Sequence, residues 1–244
     1  MGDQTNVFGQ PIGDPLPGWA ARQRPTRQPL QGQIVRVEGL DPAKHASDLH
    51  AANVAGDDGR GWTYMAYGPF GTLQDYLKWA EPAAESIDPL YYAIVNKATA
   101  QAIGIASFLR IDPNNGVIEV GNIKYSPLLQ RTAAATEAMY LMMRYVFDDL
   151  GYRRYEWKCD SHNGPSRSAA ARLGYSYEGT FRQAVVYKGR NRDTAWFAMT
   201  DKDWPALKQA YEAWLSPTNF DIGGKQRKRL QDLIADARAA SRSA

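Results

Sequence analysis

Three apolar runs stand almost end to end in this chain: LYYAIVNK (90–97), AIGIASFLRI (102–111) and VIEVGNIKY (117–125). Each is rich in β-branched and aromatic residues and is bounded by turn-forming residues, the pattern of strands. Only Ala-Thr-Ala-Gln separates the first pair, and Asp112-Pro113-Asn114-Asn115-Gly116 the second. Such short connectors close hairpins. The middle of the chain is therefore an antiparallel meander, and the rest must be arranged around a sheet.

The flanking pattern supplies helices and further strands. QIVRVEGL (33–40) alternates like a strand, and Asp41-Pro42 then starts a helix that runs to about residue 55. Residues 56–71 are a loop rich in glycine and aromatics, after which Thr72 caps a second helix. After the meander, 131–150 has a helical stripe of Ala135, Met139, Met142, Val146 and Leu150, ended by Gly151. RRYEWKC (153–159) reads as a strand, and Asn163 caps a short helix that closes at Gly174. A hairpin of 175–188 and 193–200, turning at Gly189-Arg190-Asn191, precedes a helix after Asp203. This alternation predicts an α/β chain, with a mixed sheet and helices on its faces.

Composition excludes several classes. Hydrophobic residues make up 44% and charged residues 23% of the 244, as in an ordinary globular domain. A net charge of +3 makes no case for a nucleic-acid partner. The single cysteine, Cys159, rules out an intrachain disulfide, and three scattered histidines give no metal-ligand spacing. No apolar run is long enough for a membrane span. The Met1-Gly2 start lacks a signal pattern, and Asn6 stands where a myristoylation motif takes Ser or Thr. A cytoplasmic protein without metal is the expectation. Residues 1–32, rich in Pro, Gly, Gln and Arg, predict an extended arm that docks Leu16 and Trp19, or a disordered leader.

QRTAAATEA (130–138) is the first functional clue. An amide and a cation precede a helix whose first turn is nearly bare. Free backbone N–H groups at a helix start bind phosphates, and small side chains let a phosphate approach. Ordinary helix initiation explains the same residues.

Position within the chain adds weight. The loop follows the strand NIKY, and a strand and an Asn-started helix come next. QRTAAA, NGPSRSAAARLGY and YEGTFRQ…KGRNRDTAWFAMTDKDW together resemble the GNAT superfamily of acyl-CoA-dependent N-acetyltransferases. The branch that holds the ribosomal-protein alanine N-acetyltransferases looks most similar. The resemblance spans about residues 33–215, leaving 1–32 as the arm and 216–244 as a basic tail with a short helix. Ala133 departs from the pattern, which has a glycine there.

The resemblance implies a twisted, mostly antiparallel sheet of about seven strands, with helices on both faces. It implies acetyl-CoA as co-substrate. Main chain around Ile123, Lys124 and Tyr125 would pair with the pantetheine, and the loop of Gln130, Arg131, Thr132, Ala133, Ala134 and Ala135 would hold the pyrophosphate. Asn163 and Ser166 would approach the thiol side, and Arg172 the nucleotide. A helix cap and a first-turn serine are the plain alternatives for Asn163 and Ser166.

Acyl transfer to an amine needs a group that takes the ammonium proton. Glu119, among apolar neighbours in its strand, is the candidate, with pairing to a neighbouring Arg or Lys as the alternative. A backbone N–H near Ile123 would polarise the carbonyl. Ser166, and then Tyr125, are candidates to return a proton to sulfur. Trp62, Tyr64, Tyr67 and Phe70 form an aromatic lip that walls an acceptor pocket or fills core. The acceptor would be a small-molecule amine or a protein N-terminus. A non-catalytic acyl-CoA-binding or protein-interaction module on the same fold is the rival function. Leu230, Leu233 and Ile234 in the tail suit an amphipathic helix beside Lys225, Arg227, Lys228 and Arg229, a solvated run or a contact to an acidic partner or RNA; the helix packs on the domain or on a second subunit in a homodimer.

Overall fold

The computed structural model describes residues 4–56 and 58–243. Met1 to Asp3 (with the Met1-Gly2 start), Asp57 and Ala244 belong to the predicted arm, lip and tail and lie outside the described residues. Among the described residues, ten strands and six α-helices follow one another. The small strands are β1 (Gln4–Thr5), β2 (Pro11–Ile12) and β3 (Leu30–Gln31). Next come β4 (Val35–Gly39), helices α1 (Pro42–Val54) and α2 (Leu73–Glu85), and the meander β5 (Leu90–Asn96), β6 (Ala102–Asp112) and β7 (Val117–Tyr125). Then follow α3 (Ala133–Arg144), β8 (Arg154–Asp160), α4 (Gly164–Arg172), β9 (Ser176–Tyr187), β10 (Arg190–Thr200), α5 (Trp204–Leu215) and α6 (Leu230–Ser243).

Eight of the strands form one sheet, in the order β3-β4-β5-β6-β7-β8-β10-β9. That is one more than the seven expected, because Leu30 and Gln31 pair with Val37 and Arg36 at the edge. Every pairing is antiparallel except β7 with β8, where α3 provides the crossover that a parallel return needs. The hairpin of β9 and β10 turns over Lys188 and Gly189, whose φ values of 50° and 68° suit a two-residue turn. Arg190 and Asn191, expected in the turn, already pair with Tyr187 and Val186.

The sheet is buried on both faces. Met139, Met142 and Val146 of the α3 segment pack with Tyr155, Trp157, Leu207, Tyr211 and Trp214 on one side. Leu49, Tyr76 and Ala80 of α1 and α2 pack with Tyr91, Ala93 and Ile105 on the other. The tail helix α6 joins the first core through Leu230 and Ile234, while Lys225, Arg227, Lys228 and Arg229 are exposed.

Two supports have no counterpart in the predicted pattern. Glu137 is buried in the face of α3 and accepts the amides of Gln33, Ile34 and Val35 at 2.7, 2.8 and 2.7 Å. Its carboxylate closes the start of β4. In the arm, Trp19 donates to the Asn114 carbonyl at 2.8 Å and lies where a Cβ on Gly116 would stand. Leu16, expected to dock beside it, is 48% exposed, and the arm is held further along by the Arg22 amide donating to the Pro113 carbonyl at 3.0 Å and by Tyr152 donating to the Gln23 carbonyl at 3.1 Å.

Candidate active site

The site is built around a strand that leaves its neighbour. β7 pairs with β8 from Val117↔Arg154 to Val120↔Trp157 and no further. β8 continues to Asp160, held on its other side by β10. Gly121 to Tyr125 of β7 stay paired to β6 alone. A wedge therefore opens between two strands of one sheet, with main-chain groups along its β7 side.

The cause of the wedge is a bulge. The β6–β7 register shifts between Ile105↔Lys124 and Ser107↔Gly121, and Asn122 takes a left-handed φ of 50°. Asparagine tolerates that conformation better than most residues. Asn122 Nδ2 donates to Ser107 Oγ at 3.0 Å, and Ser107 Oγ donates to the Gly121 carbonyl at 3.1 Å. An extra residue on one strand bends it and sharpens its twist. Here the bend carries β7 away from β8.

At the end of β7 the chain turns into α3 through Gln130, Arg131 and Thr132, all exposed. Gln130 Nε2 donates to the Tyr125 carbonyl at 2.9 Å. Arg131 has a φ of 61°, and Thr132 is the extended N-cap. Thr132 Oγ1 donates to the Leu129 carbonyl at 2.7 Å and accepts from the Ala135 amide at 3.2 Å. The amides of Ala133 and Ala134 have no such cap, and their methyl groups leave the approach open. The Tyr125 carbonyl and the Ala135 amide, both in the predicted cofactor set, are thus engaged within the protein.

Glu119 precedes the wedge and is 3% exposed. Its Oε2 accepts from Arg110 at 2.7 Å and from Lys158 at 3.0 Å. Lys158 also meets Glu156 at 2.7 Å and sits 3.7 Å from the centroid of the Trp196 ring. The neighbouring-strand ion pair weighed as the alternative for Glu119 is present. Burial still pushes the carboxyl above its ordinary value, against the opposing pull of Lys158 and Arg110. Oε1 lies on the Gly121 side, 3.5 Å from where a Cβ on that glycine would stand.

Across the wedge, Asn163 caps α4 by accepting the Ser166 amide at 3.1 Å. Ser166 Oγ accepts from Trp157 Nε1 at 2.9 Å, and its hydroxyl also hydrogen-bonds the Cys159 side chain. Burial raises the Cys159 thiol, so it stays protonated and unreactive. The Tyr125 hydroxyl is buried without a partner among the described residues, and burial pushes its phenol up strongly. Arg172 donates to Thr136 Oγ1 at 3.1 Å and lies 5.5 Å from the Trp214 ring, tying α4 to α3 and α5.

The aromatic lip divides. Tyr67 stacks on Trp79 at 4.6 Å, and Phe70 meets Trp62 and Tyr76 edge-on at 5.5 and 5.3 Å. Tyr64 instead reaches across to donate to the His162 carbonyl at 3.1 Å, beside Asn163. Trp62 is buried, with Lys124 Nζ 4.6 Å from its ring. Ser107 and Asn122 escaped sequence reading; Gly121-Asn122 inside a strand was the signal, since glycine there marks a bulge. Among the described residues no cluster of three or more His, Cys, Asp or Glu side chains is arranged to hold a metal ion, and no helix is long and apolar enough to cross a membrane.

Comparison with known proteins places this geometry in context. The acetyltransferase (GNAT) domain profile matches residues 39–176. A GCN5-related N-acetyltransferase from Brucella melitensis is 50% identical, with a TM-score of 0.89, covering 90% of this chain and 100% of that one. An uncharacterized N-acetyltransferase, p20, from Bacillus licheniformis is 31% identical over 117 residues, which span 46% of this chain and 63% of that protein. Microcin C7 self immunity acetyltransferase MccE, solved with acetyl-CoA and AMP, shares the fold at 20% identity and a TM-score of 0.60, over 69% of this chain and 93% of its own.

Proposed function

Because the chain belongs to the GNAT acetyltransferase family, we propose that it is an acetyl-CoA-dependent N-acetyltransferase acting on a primary amine by direct attack. The observation that carries the reading is the loss of β7–β8 pairing after Val120↔Trp157, directly before a helix start with uncapped amides and small side chains. A strand edge with free main-chain groups suits the amides of pantetheine, and the α3 start suits a pyrophosphate. The donor set therefore fits coenzyme A: the main chain of Ile123 to Tyr125 and the Arg131–Ala134 turn would hold it. Ala133 in place of a glycine narrows the approach by one methyl. Bound acetyl-CoA supplies an acetyl group already activated as a thioester, so no covalent enzyme intermediate is required.

The chain's own groups have distinct tasks in this reading. Glu119 takes the ammonium proton through Oε1, by way of a water, while Oε2 stays anchored. The amide near Ile123 is the oxyanion donor. Ser166, its oxygen already accepting from Trp157, directs its proton to the leaving sulfur. Tyr125, a neutral phenol, is the second candidate. Asn163 fixes the start of the helix that carries Ser166, and Arg172 braces that helix from behind. We place the acceptor among small-molecule amines and protein N-termini, including the ribosomal-protein alanine type, and the enzyme as a domain of residues 33–215 between an arm and a tail. A cytoplasmic setting suits a chain whose one cysteine is a buried free thiol. A homodimer completes the proposal; nucleic acid and membrane have no part in it.

Thermal unfolding and thiol release test the reading together. Acetyl-CoA at about 100 times its Kd should add roughly 2.7 kcal/mol, or about 5–10 °C in Tm for a chain of this size. Free coenzyme A should then appear with a panel of amines and peptides. Stabilisation without thiol release across the panel would favour the non-catalytic acyl-CoA-binding module.

A further inference from the structure

A partly open cavity of about 160 Å³ lies between α1, α2 and the aromatic loop. Trp62, Pro69, Phe70 and Tyr76 supply apolar walls, and His50 and Asn53 supply polar ones. Asn53 is 6% and Tyr76 1% exposed. Asn53 Oδ1, Tyr76 Oη and His50 Nε2 are all buried without a hydrogen-bond partner among the described residues. An orphaned buried polar atom is costly, so three around one cavity mark a place for a polar partner. The volume equals that of about five liquid waters at ~30 Å³ each, room for one six-membered ring with a substituent.

The cavity is one indole ring away from the wedge. Trp62 lines it, and Lys124 Nζ, from the part of β7 that has left β8, lies 4.6 Å from that ring. The Trp62 carbonyl accepts from Lys188 of the β9–β10 turn at 3.0 Å, and Tyr64 of the same loop is tied to His162. The loop that walls the cavity is thus fastened to the rim of the wedge.

We infer that this cavity is the side-chain pocket for the acceptor, and that it selects an amine bearing a neutral aromatic ring with a hydroxyl. Among the described residues no Lys, Arg, Asp or Glu lines it, so a charged tip would find no partner there. Asn53 Oδ1 can only accept, whereas Tyr76 Oη and His50 Nε2 can each donate. A hydroxyl both donates and accepts, and answers the whole set; a bare ring leaves it unanswered. The inference deepens the acetyltransfer reading and rests on it for the reaction, but not for the binding.

Tyramine and phenethylamine differ by that one hydroxyl and separate the two claims. Tyramine should bind the full chain at least 10-fold more tightly in a tryptophan-fluorescence titration without acetyl-CoA, and its kcat/KM for thiol release should lead by a similar factor. Tyr76→Phe and Asn53→Leu should each bring the tyramine-to-phenethylamine ratio towards one, with acetyl-CoA stabilisation retained as proof of folding. Equal handling of the two amines, or binding of neither, overturns the pocket assignment. Preferential tyramine binding with no thiol release upholds the pocket and overturns acetyl transfer instead.

Discussion

Glu119→Gln should lower kcat for amine acetylation by about 10²–10⁴-fold, the range general-base catalysis supplies, while acetyl-CoA stabilisation in thermal unfolding stays close to wild type. The substitution keeps the shape and one anchored oxygen but removes the site that accepts the proton. In the wild type the acid limb of kcat/KM should titrate above the ordinary carboxylate range, because burial raises this carboxyl. The variant should lose that limb. Stability carries the opposite signature. A carboxyl raised in the folded state stabilises fully below its unfolded pKa, and that contribution is lost as pH rises through the folded value. The pH-dependence of unfolding across that window should therefore flatten in Glu119→Gln. The variant also weakens the partners of Arg110 and Lys158, although Lys158 keeps Glu156 at 2.7 Å. Wild-type turnover in Glu119→Gln would make this residue a structural ion-pair partner only.

The second large effect is one of stability. Glu137→Ala strips the acceptor from three amides at the start of β4 and leaves the Val35 amide buried. About 1–3 kcal/mol for a buried group left unsatisfied, with the other two amides reaching water, gives a loss of about 2–4 kcal/mol. At about 2–4 °C per kcal/mol, Tm should fall by about 5–15 °C. Glu137→Gln retains one acceptor oxygen and should recover part of the loss. Thermal unfolding of the three proteins checks the order; an unchanged Tm for Glu137→Ala would mean that the β4 start is held by its strand pairing alone.

These two glutamates show what sequence could and could not convey. Glu119 announced itself because a central strand, apolar on either side of it at Ile118 and Val120, kept a carboxylate. Its two cations could not be paired to it from sequence, since Arg110 and Lys158 come from other strands. Glu137 stayed hidden because a helix tolerates a glutamate anywhere, and its partners lie about a hundred residues earlier. The meander was legible because short connectors and β-branched runs act locally. The eighth strand was not, because two residues, Leu30 and Gln31, carry no period.

The candidate site divides along the same line. The bare first turn of α3 and the Asn163 cap are local chemistry, and the chain states them directly. The bulge that parts β7 from β8 depends on Ser107 and Asn122 meeting across a hairpin, a contact set by register. Arg172, assigned by resemblance to the nucleotide, also donates to Thr136 and lies over the Trp214 ring. Leu16 was expected to dock beside Trp19, but only the indole has a donor to give to Asn114. In each case the local pattern supplied the residue, and tertiary packing decided its partner.

Backbone amide hydrogen exchange with and without coenzyme A tests the wedge most directly. Slowed exchange should appear at Ile123 and Tyr125 and at Ala133 and Ala134, with Val117 to Val120 unchanged because β8 already protects them. Protection confined to another surface, or amides of Ile123 and Tyr125 that are as slow without coenzyme A as their paired neighbours, would contradict an open strand edge as the cofactor's seat.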